Sequence, residues 1–111
     1  MTPDLQKEQD LIKVQQQEKD LKMEIQVAIK NYQTQKAVVE SLKKSLEAEN
    51  FKWEFYTKKF KQGQISSFDY AKHTENMENS ELDFYKGIFK LEKDYYKLFL
   101  VQGILLDNVI M

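Results

Sequence analysis

The fold of this chain is decided by one stretch, residues 55–73, which reads FYTKKFKQGQISSFDYAKH. It contains Gly63, the first glycine of the chain. A helical pattern rich in Lys, Glu, Gln and Leu runs up to this glycine and starts again a few residues later. Because glycine adopts left-handed backbone conformations that other residues resist, it commonly ends a helix. The stretch therefore predicts a turn between two helices.

The composition favours one helical domain. The chain has 111 residues, with three glycines and one proline, which is too few for the many turns of a small β protein. Charged residues make up 32% of the chain and nearly cancel, with a net charge of −1. Because the two signs are interleaved, no general field attracts nucleic acid or an anionic membrane. The absence of cysteine excludes disulfides and thiol chemistry.

The first helix is predicted over about residues 3–62. Thr2 is a suitable cap, Pro3 fits the first helical position, and Asp4 complements the helix dipole. Its apolar residues form a stripe with the alternating three- and four-residue spacing of coiled-coil packing, which is interrupted at Glu18, Gln35 and Glu49. The stripe consists of Leu11, Val14, Leu21, Ile25, Ala28, Tyr32, Val39, Leu42, Leu46, Trp53, Tyr56 and Phe60.

The second helix is predicted over about residues 67–106, after a tip formed by residues 63–66. Ser66 is a good N-cap, and Asp69 follows it in the manner of a capping box. Gly87 marks either a close approach of the helices or a tolerated defect. The apolar stripe again alternates three and four, through Tyr70, Met77, Phe84, Ile88, Leu91, Tyr95, Leu98 and Leu105.

The two stripes match each other as an antiparallel pair. In an antiparallel pair the numbers of two facing residues add up to a constant. With Phe60 opposite Tyr70, this constant also pairs the remaining members of the stripes and places the fold-back near Ile65. We therefore expect an all-α fold, a long antiparallel helical hairpin that resembles a coiled coil. The further pairs that this sum gives are Trp53 with Met77, Leu46 with Phe84, Leu42 with Ile88, Val39 with Leu91, Tyr32 with Leu98 and Ile25 with Leu105.

Two features predict that the hairpin associates, as a homo-oligomeric dimer or a larger helical bundle. In this register roughly the first 18 residues have no partner within the chain, and two helices alone bury little core. Further apolar residues also widen the stripes beyond a two-stranded seam. They are Val27, Val38, Phe51 and Phe55 on the first helix, and Tyr85, Phe89, Tyr96 and Phe99 on the second.

No enzymatic chemistry is predicted, and neither a cofactor nor a metal is expected. The chain has one histidine and lacks a phosphate-binding loop or a nucleophile motif. His73 and Met77 stand four residues apart and suit a soft metal, but an ordinary surface histidine is the favoured interpretation. The acidic run of Glu75, Glu78, Glu81 and Asp83 is interpreted as a solvated face, since no histidine completes a di-iron pattern.

Lysines are concentrated around the tip, at Lys52, Lys58, Lys59, Lys61 and Lys72. With aromatic residues between them, they have the pattern of a nucleic-acid patch. Because the whole chain is not basic, nucleic acid is not the expected partner. A tip that contacts protein and a plain solvated turn both remain open.

The tip and its flanks resemble the C-terminal helical repeat of TolC-like outer-membrane efflux proteins. The resemblance covers about residues 20–106, and its specific part is the combination of Phe60, Gly63, Ser66 and Asp69. The returning helix, which reads DFYKGIFKLEKDYYKLFLVQG and ends near Gly103, has the family's aromatic character. This resemblance implies a hairpin of a trimeric, hollow helical cylinder on the periplasmic side of the outer membrane, which serves export.

In such a cylinder the hairpin tip docks a periplasmic adaptor protein. The resemblance implies that Gly63, Gln64, Ile65 and Ser66 form the adaptor-contacting turn. It also places Phe60 and Asp69 near the aperture of the duct. Lys72 departs from the second acidic residue that some members have, so a cation-binding ring at the aperture is not implied.

The sequence lacks other parts of that family, namely a signal peptide, barrel strands and the first helical repeat. We therefore expect a C-terminal piece of a TolC-like protein, with no direct insertion of this segment into the membrane. The alternative is a self-assembling coiled-coil module, of the kind found in structural proteins or adhesins, with no transport role.

Overall fold

The computed structural model describes residues 3–110, apart from the side chains of residues 105, 106 and 108–110. Within this range the chain forms two α-helices, α1 (Pro3–Lys61) and α2 (Ser67–Ile110), which run antiparallel. The predicted all-α helical hairpin is therefore confirmed. The predicted cap Thr2 and the side chain of Leu105 lie outside the described residues. α2 continues past its predicted end at about residue 106.

The residues form two compact units, and each is described by itself. The first comprises the chain up to Gln33 and from Asp94 onward, and the second is Thr34–Lys93. In the first unit, residues 3–20 are all exposed, and Leu21 is the first half-buried residue of α1. The prediction that the start of α1 lacks an intrachain partner is thus confirmed for the described residues.

In the first unit the two helices meet at small and aromatic residues. Ala28 is buried, with 4% of its surface exposed. The ring of Tyr32 lies 5.8 Å from the ring of Tyr95, one helical turn from its predicted partner Leu98. Tyr95 nevertheless keeps 56% of its surface exposed, so it lies at the edge of the contact and not at its centre.

In the second unit the contact begins next to the turn. The rings of Phe60 and Tyr70 stack at 4.5 Å, which confirms the predicted pair nearest the tip. Trp53 does not follow the predicted pairing so closely. Its indole N–H donates to Thr74, one turn nearer the tip than the predicted partner Met77. The contact of Trp53 thus lies one turn from its predicted position, whereas Leu42, whose predicted partner is Ile88, lies against the neighbouring Gly87.

Gly87 explains how the helices approach each other in this unit. It is buried, and a Cβ placed on it would lie 2.6 Å from Cδ1 of Leu42 and 3.6 Å from Cγ2 of Val39. Gln35 is also buried, with 6% exposed, and its side-chain Nε2 donates to the Gly87 carbonyl at 3.0 Å. Gly87 therefore marks a close approach, and Gln35 is a buried, hydrogen-bonded member of the contact.

Candidate functional site at the hairpin tip

The end of α1 is built by backbone hydrogen bonds around Gly63. The Gly63 N–H donates to the Phe60 carbonyl at 3.0 Å, and the Gln64 N–H donates to the Lys59 carbonyl at 2.9 Å. This pair of bonds is the Schellman motif, which satisfies carbonyls that the helix end leaves without partners. The motif needs a left-handed residue, and Gly63 supplies it with φ of +70°. The predicted turn at Gly63 thus has a specific backbone structure.

The start of α2 depends on Ser66. Its Oγ accepts the Asp69 N–H at 3.1 Å, and its carbonyl accepts the Tyr70 N–H at 3.0 Å. The Oγ contact satisfies one of the free N–H groups of the first turn, as an N-cap does, and the carbonyl contact is the first hydrogen bond of the helix. Asp69 lies in that first turn, where its carboxylate complements the helix dipole. The predicted N-cap is therefore confirmed.

Stacked rings hold the two helices together behind the turn. Tyr56 and His73 are parallel, with their ring centroids 3.6 Å apart and an angle of 6° between the planes. Trp53 stacks on Tyr70 at 6.5 Å, on the tip-distal side of the Phe60–Tyr70 pair. The expectation of an ordinary surface histidine is corrected here, because His73 is half-buried against Tyr56.

Hydroxyl groups complete this contact. Trp53 Nε1 donates to Thr74 Oγ1 at 2.9 Å, and Thr74 Oγ1 donates to the Tyr70 carbonyl at 3.0 Å. On α1, Thr57 Oγ1 donates to the Trp53 carbonyl at 2.7 Å and lies 3.0 Å from the Tyr70 hydroxyl. Because Thr57 has a single hydroxyl proton, Tyr70 is the donor in that last bond. We call this set the tip clamp: Trp53, Tyr56, Thr57, Phe60, Tyr70, His73 and Thr74.

The sequence does not predict the tip clamp as a network. Each aromatic member but His73 belongs to a predicted stripe, whereas Thr57 and Thr74 belong to none. The available signal is the density of aromatic residues within three turns of Gly63 on both helices. The clamp fixes the turn, so that the tip presents a defined surface.

The residues that are predicted for adaptor contact differ in accessibility. Gly63, Gln64 and Ser66 are exposed, whereas Ile65 is half-buried. Both predicted aperture residues are on the surface: Asp69 is exposed, and Phe60 keeps 36% of its surface exposed beside Tyr70.

Two further features of the tip bear on its surface chemistry. Phe68, which lies outside the predicted stripes, is 80% exposed in the first turn of α2. The lysines Lys58, Lys59 and Lys61 occupy the last turn of α1, where cations stabilise the helix dipole. Their position at a helix C-terminus accounts for them without a ligand.

Two other features, a metal site and a membrane span, are absent from the residues that the structure describes. No group of three or more His, Cys, Asp or Glu side chains in the described range is arranged to hold a metal ion. Neither helix, over the part that the structure describes, has a stretch long and apolar enough to cross a membrane. Comparison of the chain with models of protein families, with curated proteins and with solved structures finds no match.

Proposed function

We propose that the hairpin is an assembly element, which works by packing its exposed apolar side chains against helices of further copies or chains. The observation that carries this proposal is the accessible surface of 9154 Å². A compact folded monomer of 13.3 kDa exposes about 6,500 Å². The excess is about 2,700 Å² for one chain, which is as much as one partner buries in a large obligate interface.

The burial of individual residues supports the same proposal. Of the residues whose burial is described, only Ala28, Gln35 and Gly87 are buried, and no large side chain is fully enclosed. Large apolar side chains such as Phe51 and Phe99 are 75% and 65% exposed. Because burial of apolar surface is the main favourable term in folding, much of the stabilisation open to this sequence is gained only in contact with other helices.

The assembly proposal is tested by thermal unfolding at two concentrations. If folding is linked to association, a tenfold rise in protein concentration raises the melting temperature by several degrees through mass action. Circular dichroism follows the loss of helix. A melting temperature that is the same at both concentrations would contradict the proposal.

The more specific form of the proposal is that the assembly is a TolC-like efflux duct on the periplasmic side of the outer membrane. Its support is local: Phe60, Gly63, Ser66 and Asp69, which carry the resemblance, form one ordered turn with defined caps and a stacked ring behind it. In this proposal the exposed residues Gly63, Gln64 and Ser66, with Ile65 beside them, dock the hairpin of a periplasmic adaptor.

Docking at the tip is tested by capture of a purified adaptor protein on the immobilised chain. Ile65→Asp places a charge in the docking turn and is expected to reduce capture at least tenfold. The control Asn50→Asp makes the same change of charge at an exposed position of α1. Equal capture by the two variants and the unchanged chain would count against tip docking.

A second candidate is a self-assembling coiled-coil module, structural or adhesive, with no transport role. The exposed apolar stripes favour it, because they need neither an adaptor nor the tip to explain them. In this case the Ile65→Asp chain still associates with itself as the unchanged chain does. Neither the Ile65→Asp chain nor the unchanged chain captures the adaptor. The capture and unfolding experiments together therefore separate the two candidates.

A further inference from the structure

One outward face of α2 has the spacing of a second helix-pairing seam. In the second unit, Leu82, Tyr85 and Phe89 follow one another at intervals of three and four residues. They are 51%, 58% and 59% exposed, so the contact with α1 does not use them. Apolar residues at this spacing are typical of a helix that packs on another helix.

Opposite charges flank the apolar centre of this face. Glu75, Glu78, Glu81 and Asp83 precede Tyr85, whereas Lys86, Lys90 and Lys93 follow it, together with the acidic residues Glu92 and Asp94. Glu78 lies one turn before Leu82 on the same face, and Lys93 lies one turn after Phe89, with its Nζ 4.6 Å from the centre of that ring. The face therefore has a carboxylate, that of Glu78, one turn before its apolar centre and an ammonium group, that of Lys93, one turn after it.

The geometry points to a second copy of this chain as the occupant of this face, bound antiparallel about a two-fold axis near Tyr85. A symmetric interface requires a patch that complements itself, and this order of charges meets that condition. Leu82 is placed against Phe89 of the partner copy, and Glu78 against Lys93 of the partner copy. Both pairs share one midpoint, between Tyr85 and Lys86, so that a single axis satisfies them together.

A shallow groove supports the acidic half of this pairing. Its volume is about 390 Å³, and it is lined by Met77, Glu78, Glu81, Leu82 and Tyr85. An apolar floor with two carboxylates at its edge suits an aromatic ring that is followed by a lysine one turn later. Phe89 and Lys93 of the partner copy have this spacing. The pairing rests on the assembly proposal and deepens its second candidate, the self-assembling coiled-coil module, because antiparallel copies have their tips at opposite ends.

Charge reversal with mixing tests the pairing. Glu78→Lys and Lys93→Glu each create two like-charge contacts per dimer, and each is expected to raise the dissociation constant at least tenfold in sedimentation equilibrium. In an equimolar mixture of the two variants, a mixed dimer has an opposite-charge pair at both contacts. The mixture is therefore expected to associate nearly as tightly as the unchanged chain.

The controls are Glu47→Lys and Lys44→Glu, which make the same charge changes at exposed positions of α1 in the same unit. They are expected to change the dissociation constant less than threefold. Retained helix content, measured by circular dichroism, shows that the variants still fold. If the unchanged chain associates and neither Glu78→Lys nor Lys93→Glu weakens that association, the pairing is overturned and the assembly proposal stands. A mixture no tighter than the single variants would also overturn the pairing, and a monomeric unchanged chain would overturn both proposals.

Discussion

Gly63 determines where α1 ends, because it supplies the positive φ that the Schellman motif requires. Alanine at this position is strained by its Cβ even though no other atom lies within 4 Å of that Cβ. We expect Gly63→Ala to lower the free energy of unfolding by about 1 kcal/mol. The measurement is urea unfolding at one fixed protein concentration.

Gly103 provides the matched control for this prediction. A Cβ added there would also have nothing within 4 Å, but Gly103 lies within α2 and its φ is not positive. Alanine there removes the entropic cost of a helical glycine, so Gly103→Ala is expected to raise stability by up to about 1 kcal/mol. Equal effects of the two substitutions would show that the backbone of Gly63 is not constrained as described.

The hydrogen bond between Trp53 and Thr74 is a second feature of individual residues with a measurable consequence. Thr74→Val keeps the shape of the side chain but leaves the part-buried indole N–H of Trp53 without its acceptor. We expect a loss of about 1–2 kcal/mol, since an unpaired buried donor costs more than a hydrogen bond contributes on average. Thr34→Val, at an exposed position of α1, is the control and is expected to be nearly neutral.

A double-mutant cycle shows whether the pair itself is responsible. Trp53→Phe removes the donor, so that adding Thr74→Val to it is expected to cost less than Thr74→Val alone. The expected coupling is about 1 kcal/mol. Strictly additive effects of the two changes would contradict the role given to this bond.

At the scale of the helices, the sequence predicts the local signals well and the contacts between helices only in part. The helix ends depend on Gly63 and Ser66, whose cap chemistry is a property of neighbouring residues and is therefore visible in the sequence. Gln35 looks like an interruption of the α1 stripe, yet it is buried in the contact. Its burial depends on the Gly87 carbonyl, 52 residues away, and no local pattern indicates such a partner.

The face of α2 that meets α1 is the predicted one, although α2 has a second apolar stripe. The two stripes have the same spacing, one through Tyr70 and Met77 and the other through Leu82 and Phe89. Tyr70 and Met77 are half-buried, whereas Leu82 and Phe89 are exposed. Periodicity does not show how close the helices come at Gly87, where the absence of a Cβ lets α2 approach Leu42.

Gly87 therefore yields a prediction at the element scale. Gly87→Leu adds a side chain where a single Cβ already reaches Leu42, so the helices must separate or repack. Overpacking of this kind costs about 1–3 kcal/mol, which exceeds the gain of about 1 kcal/mol in helix propensity. Net destabilisation by up to about 2 kcal/mol is expected in urea unfolding.

The control for this change is Gly103→Leu, because nothing lies within 4 Å of the corresponding Cβ. It brings the same gain in helix propensity without the close contact, and it is expected to be neutral or stabilising. If Gly87→Leu were as stable as Gly103→Leu, the close approach at Gly87 would not be a real constraint.

At the scale of the molecule, the tip clamp and the contact at Gly87 define a hairpin, while most large apolar side chains stay on its surface. The start of α1 illustrates this, since Leu11 and Ile12 are 58% and 64% exposed. Hydrogen bonds such as Gln16 to Asp20 support the helix there. These local bonds are weak, so the assembly proposal assigns most of the stabilisation of the apolar residues beside them to association.

The central claim is that this hairpin is completed by other helices, and sedimentation equilibrium of the unchanged chain tests it most directly. Measured over a roughly hundredfold range of micromolar concentrations, the weight-average mass is predicted to rise from near 13.3 kDa to at least twice that value. A mass that stays at 13.3 kDa over the whole range, with the helix content of the hairpin intact, would contradict the claim.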